Sequence, residues 1–439
     1  MEAGVTAPSR PWISAPGTRT ALALAAVALA TVVVGLIVRE ATGGLGAPHP
    51  PFFASWEPLV DPGAVVWIPL LGLALGGAVA LLRSNVGLVP FLAGAFLLAL
   101  LARLSLAAAR DGVDGWYSVF GLDPEAANEY LPALPALESL GPRDFLDRFA
   151  ELAPTLPIHP SGHPPGTLVL LDALGIDTPR SLGALVIATG TAAVPLTYAL
   201  GRRARLEEAG ARGAAMLLAF SPGAMLYGVS STDAMYATLG VMATVLLLGS
   251  GRASRILGAL ALAFASFFNW ALLAVGAFAA IVTLLRGGLR AGASLALIAG
   301  VVVAGFYALL HAASGFDPIG AIGAADDAYD LGISNARPYL YWLLGSPVAF
   351  AVALGLPISW YASRTLGTGN ELAVALAAIV VVSVLLGLTK AETERIWLFM
   401  GPLAAVAAAG LAPADRMPAI LGLLAAQALA TSLLIETIW

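Results

Sequence analysis

Five carboxylates, Asp111, Asp114, Asp123, Glu125 and Glu129, crowd into residues 111–129, and His159 and His163 follow in the segment HPSGHPPG. A carboxylate shielded on one side from water works as a general base when its pKa stays within reach of the working pH. Glu129 stands out, because it lies in the amphipathic stretch NEYLPAL with Tyr130 beside it, and Asp111 and Asp114 sit just past the end of an apolar run. Asp123, Glu125, Glu138, Asp144, Asp147 and Glu151 read as solvated loop charges. Proline fixes φ and drives the preceding residue to extended backbone, so both histidines are held on a stiff, non-helical lead into the next helix. That lead is either a rigid turn with structural imidazoles or a contact to substrate or metal. Glu129, His159 and His163 are the candidate ligands for a divalent ion, an incomplete set on sequence alone.

A second polar group lies far along the chain in TKAETERIWLF, which holds Lys390, the sole lysine, with Glu392, Glu394 and Arg395. These are either charges snorkelling at a membrane interface or a clamp for a lipid phosphate, with Glu392 and Glu394 able to close the cations into a neutral network. In the clamp reading Arg395, helped by Lys390, meets the phosphate. Asp233 in SSTDAMYATLG reads as a helix cap or a substrate contact. The glycine-rich loop with Asp326, Asp327, Asp330 and Arg337 reads as a solvated loop or a flap.

The elements that must position these groups are membrane helices. The 439 residues are 59 % hydrophobic and 11 % charged, with a mean hydropathy of +0.87, far more apolar than a soluble domain. At roughly 20 residues per crossing, the runs near 20–38, 63–82, 86–108, 182–200, 213–230, 233–249, 256–285 (a bent pair), 292–310, 339–361, 371–388, 397–412 and 418–437 predict an all-α bundle of about 11–13 spans. The first run is read as an uncleaved helix rather than a signal peptide. Cysteine is absent, which excludes disulfides, zinc-thiolate sites and thiol nucleophiles. A net charge of −5 without a basic stripe excludes nucleic acid as a partner. No internal repeat is visible.

With the N-terminus placed in the cytoplasm, the short connecting turns carry 13 of the 22 basic residues and five of the 27 acids, the bias that positive-inside insertion gives. The long polar segments 39–62, 109–181, 311–338 and 389–396 then all face outside. The expected organisation is N-terminal helices 1–108, an external functional loop 109–181 bearing short amphipathic helices along the membrane surface, and a bundle 182–439.

The order of these parts resembles the GT-C class of integral membrane glycosyltransferases, in the group of protein-mannosyltransferases and aminoarabinose transferases. Asn128-Glu129-Tyr130 is similar to that group's acidic Asp-Glu motif, and His163-Pro164-Pro165 to its later Pro-Pro motif. Gly201-Arg202-Arg203, Ser221-Pro222, Thr232-Asp233-Ala234 and the stretch 394–397 follow in the same order. Two departures are plain: the acidic loop follows the third span rather than the first, and the first acid of the pair is Asn128. The base is therefore Glu129, or else Asp111 or Asp114. The resemblance implies inverting transfer of a sugar from a polyprenyl-phosphate donor to a hydroxyl of a glycan, lipid or protein acceptor, at the outer face of the plasma membrane. Together with the reading of the residues themselves, this makes Tyr130, His159, His163, Asp233, Arg337, Lys390 and Arg395 the candidate substrate contacts. No cytoplasmic segment is long enough to bind a nucleotide sugar. The alternatives are a lipid or polysaccharide transporter, and a catalytically silent partner subunit. Because the chain lacks cysteine, a thiol introduced at Ser139 is a clean reporter: a membrane-impermeant maleimide is expected to label Ser139→Cys from outside intact cells, and labelling only after lysis overturns the orientation.

Overall fold

The computed structural model describes residues 16–42, 44–387 and 389–437; Arg10, counted above among the cytoplasmic charges, lies outside them. The structure is helical almost throughout, with one short antiparallel strand pair, Ser55–Trp56 against Ile435–Glu436. Among the described residues, seven helices are long and apolar enough to cross a membrane, or up to nine if each of two bent pairs is one span. They include Pro16–Thr42, Ala64–Arg83, Leu88–Asp111, Pro179–Arg203, Leu289–Ser314 and Met417–Leu434. Outward residues such as Val65, Leu73, Val89, Leu97, Leu297 and Leu309 leave a belt that apolar solvent must cover. The chain has the architecture of a multi-pass membrane protein.

Seven to nine is fewer than the 11–13 expected, and the shortfall has a physical reason. Asp233–Leu247 and Glu371–Leu386 are apolar but only 15 and 16 residues long. The run expected to span over 397–412 is the 3-10 turn Trp397–Met400 running on into the helix Gly401–Ala409, both buried along their whole length by their neighbours. Hydropathy does not distinguish a helix enclosed by protein from one facing lipid. The other runs break where proline or glycine requires it. Glu208–Phe220 and Pro222–Ser230 meet at 56°, Tyr339–Leu354 and Leu356–Leu366 at 115° across Gly355, whose φ is +96°. The bent pair expected over 256–285 is present as Arg252–Ser266 and Leu273–Gly287.

Basic turns gather at one end. Arg212 donates to Val86 O at 2.9 Å, and Arg286 reaches Arg203 O at 3.2 Å and Glu371 at 2.9 Å. At the other end the 109–181 segment forms 3-10 turns over 112–128, the kinked helix Leu134–Asp147 and the helix Gly166–Leu174. Its apolar side does not lie along lipid as expected. Leu134, Leu137, Phe145 and Phe149 are buried in the common core, and Phe149 packs on Phe316. The 311–338 segment is not an open loop either. Asp317 caps the helix Pro318–Leu331, with Asp326, Asp327 and Asp330 exposed and Arg337 buried.

The lead into Gly166–Leu174 is fastened to the hairpin 252–287: Gly166 N–H donates to Phe267 O at 2.9 Å. A Cβ at Gly166 would overlap that same carbonyl, a backbone atom with little room to move. Gly166→Ala is therefore expected to cost about 1–3 kcal/mol through overpacking, read as a lowered Tm in detergent. Gly72→Ala, where a Cβ meets nothing within 4 Å, is the control and should leave Tm unchanged. Equal melting of the two variants overturns this account of the contact.

Candidate functional site

Four segments converge at the end of the bundle where the 109–181 segment packs: the 3-10 turn Pro124–Asn128 with Glu129 and Tyr130, the turn around His159 and His163, the first turn of Asp233–Leu247, and the turn 390–395. His159 Nε2 lies 3.2 Å from Glu125 Oε1 and 3.7 Å from Glu129 Oε1. Glu129 is 1 % exposed, and its Oε2 has no hydrogen-bond partner. Asn128 Nδ2 donates to Glu125 Oε2 at 3.0 Å. Glu125 is thus a second carboxylate at the site, where the sequence offers Asn128 in place of an acid.

The two acids sit in opposed environments. Burial raises Glu129, and the neighbouring His159 and the Arg395 guanidinium only partly offset it. Burial also acts on Glu125, but the hydrogen bonds from His159 and Asn128, with the charge of Arg395, outweigh it and hold that carboxyl below its usual range. A pair of acids pushed apart in this way around one imidazole can keep one carboxylate ionised while the other exchanges a proton. His163 belongs to an adjoining group: Tyr130 Oη lies 2.6 Å from His163 Nδ1 and 2.8 Å from Tyr236 Oη, which is 2.8 Å from Thr167 Oγ1. Burial first, then the nearby His159 and Arg395, push His163 down to about 3, so at neutral pH it is an uncharged hydrogen-bonding group. Among the described residues, no three His, Asp or Glu side chains come together in metal-holding geometry.

Arg395 ties the segments together. Its Nη1 donates to Asp233 Oδ2 at 2.9 Å and its Nη2 to Glu392 Oε2 at 3.1 Å. Arg337 donates to Glu392 Oε1 at 2.6 Å, to Lys390 O at 2.7 Å and to Gly46 O at 3.1 Å. Two guanidinium groups and two carboxylates thus form one chain, Asp233–Arg395–Glu392–Arg337; of the network the sequence offered, Arg395 with Glu392 is in it, while Glu394 bonds Phe53 N–H instead. Burial acts to raise Glu392, but the guanidinium groups of Arg337 and Arg395 outweigh it and hold that carboxyl below its usual range. Ala391 and Glu392 carry it on a turn with φ of +67° and +58°, left-handed backbone that non-glycine residues adopt at a cost. Lys390 places its Nζ 5.7 Å from the Tyr329 ring centroid.

Asp111 and Asp114 are not part of this cluster. Asp111 is exposed and 3.6 Å from Arg110 Nε, on the wall of a separate cavity. Asp114 is exposed, accepts from Tyr117 Oη at 2.7 Å and lies 3.8 Å from Arg180. Of the three carboxylates ranked as base, Glu129 alone lies in the buried cluster. Sequence reading took Glu125 for a solvated loop charge, whereas its side chain is largely enclosed beside His159, and it did not point to Tyr236 or Thr167. Signals for the first two were present: Glu125 and Glu129 are four apart behind Pro124, and Asp233 and Tyr236 are one helical turn apart, on one face.

Glu394 turns away from the ion-pair chain. It is 4 % exposed, one oxygen accepts from Phe53 N–H at 2.8 Å, and its Oε2 has no hydrogen-bond partner. Burial raises its carboxyl to about 7 against the Phe53 hydrogen bond. A folded-state value raised above the unfolded one means stability fully present below the ordinary Glu value and lost as pH rises through 7. The Tm is therefore expected to fall between pH 5 and 8.5, and Glu394→Gln to flatten that fall, worth up to roughly 3 kcal/mol at the alkaline end. Parallel melting profiles for the two proteins overturn the assignment. No protein-family model matches the sequence, and no curated protein matches it.

Proposed function

We propose that the chain is an inverting membrane glycosyltransferase that takes its sugar from a polyprenyl-phosphate donor, with Glu129 as the general base. The observation that carries this reading is the buried Glu129 carboxyl, one oxygen without a partner and the other 3.7 Å from His159. In the proposed step Glu129 removes the acceptor hydroxyl proton as that oxygen attacks the anomeric carbon. The bond from that carbon to the phosphate oxygen breaks, and polyprenyl phosphate leaves with its electron pair. Glu125 stays ionised and fixes the His159 ring, and the Tyr130, Tyr236 and His163 group orients the acceptor. Arg395, with both terminal nitrogens on carboxylates, acts through Asp233 and Glu392 as a positioning residue rather than as an open phosphate fork.

A transporter would place ionisable groups deep in its spans. Arg103 is such a group, 2 % exposed, and donates to Thr191 Oγ1 at 2.7 Å across two helices. The larger polar clusters lie at the bundle end, which favours chemistry at an interface. Reconstituted protein is given a panel of polyprenyl-phosphate pentoses and hexoses, and release of polyprenyl phosphate is measured. Wild type should release it from one donor class, and Glu129→Gln should lower kcat by about 10²-fold or more with donor binding nearly unchanged. Full turnover in Glu129→Gln removes Glu129 as base, and no release from any donor by the wild type overturns the reading.

A further inference from the structure

Two cavities meet where the strand pair Ser55–Trp56 and Ile435–Glu436 crosses the Pro222–Ser230 helix. The larger, about 470 Å³, carries Glu57, Asp111, Asp123 and Glu436 on its wall with Arg110. The smaller, about 200 Å³, is walled mainly by apolar groups, among them Pro222, Val352 and Ala353. Leu226, Ile435 and Thr437 line both, so the two chambers adjoin through a shared wall.

Their chemistry differs in kind. In the large chamber four carboxylates face one guanidinium, and Arg110 is already engaged by Glu436 and by Ser432 O at 2.8 Å. Such a wall repels an added anion and accepts hydrogen bonds from hydroxyl or ammonium groups. The small chamber suits hydrocarbon, except that Glu394 lines it with its buried Oε2 unpartnered. A buried polar atom left without a partner costs about 1–3 kcal/mol, and a polar atom of a ligand lying in the chamber would remove that cost.

We propose that the two chambers form one site for an amphiphile whose head group is rich in hydrogen-bond donors and carries no negative charge, the head among Asp111, Asp123 and Glu436 and the hydrocarbon stem along Leu226, Val352 and Ala353 beside Glu394. This assigns Asp111 to ligand recognition. Glu125, Glu129, His159, Asp233 and Arg395 line neither chamber, so occupancy of this site does not depend on whether Glu129 transfers a sugar.

The chain has no cysteine, so Leu226→Cys places a single thiol at the junction. Alkylation of that thiol by a small maleimide is timed in phosphatidylcholine nanodiscs with dodecyl glucoside, dodecylamine or dodecyl phosphate added. Ile435→Cys reports from the same junction if the first variant folds poorly. Dodecyl glucoside or dodecylamine is expected to slow labelling about tenfold at a concentration where dodecyl phosphate slows it less than about twofold. Protection by the glucoside alone assigns a polyol head, and by the amine alone a cationic one. Asp111→Asn with Asp123→Asn on the same background should lessen the protection. Equal protection by dodecyl phosphate, or no protection by any of the three at either reporter, overturns the proposal.

Discussion

The buried guanidinium of Arg395 is the constraint on which the site depends. Removing a charge from water costs several kcal/mol, and the cost is offset only when good geometry and full hydrogen bonding return it. Arg395 offsets that cost with Asp233 from the start of one helix and Glu392 from its own turn, while Arg337 takes the other oxygen of Glu392. Residues more than 160 positions apart are fixed by one ion. The left-handed turn at Ala391 and Glu392 follows from it, since that backbone brings the Glu392 carboxylate between two guanidinium groups. Thr393 Oγ1 donates to Ser346 O at 2.7 Å and anchors the turn on the helix behind it. Each partner left alone would be an uncompensated buried charge, so the network is specified as a unit.

That frame gives the carboxylates beside it their different characters. Asp233 is bound directly by Arg395, whereas Glu129 feels Arg395 only at longer range and has one oxygen without a hydrogen bond. Glu125 lies at the same imidazole but takes hydrogen bonds from His159 and Asn128. Ionisation is thus allocated by hydrogen bonding and not by residue type. Asn128 has a physical role in this allocation: as an amide donor it stabilises the ionised Glu125, where an aspartate in its place would repel it.

How much of this was legible in the sequence follows from the range of each signal. The apolar runs, the basic turns and the choice of Glu129, His159, Asp233 and Arg395 as candidates were legible, because helix period, charge and motif order are local or additive properties. The chemistry of HPSGHPPG divided in a way that spacing could not show. His159 joined the acids and His163 joined two tyrosines, because the intervening prolines and glycine set the two rings in different directions. Hydropathy alone does not say how Gly401–Ala409 is enclosed, because burial by protein and burial by lipid write the same sequence. Arg337 reads as a loop cation until the chain brings Gly46 and Glu392 to it from 291 and 55 residues away.

The ion-pair chain also explains why Glu394 and Glu392, two residues apart, behave as opposites. Glu392 is satisfied at both oxygens by guanidinium groups, so burial strengthens its interactions and keeps it charged. Glu394 has one backbone donor and no opposed cation in hydrogen-bond contact, so the same burial favours its neutral form. The short helix Thr393–Ile396 places one carboxyl in the polar frame and the other on the wall of an apolar cavity. Low dielectric strengthens a completed network and penalises an incomplete one.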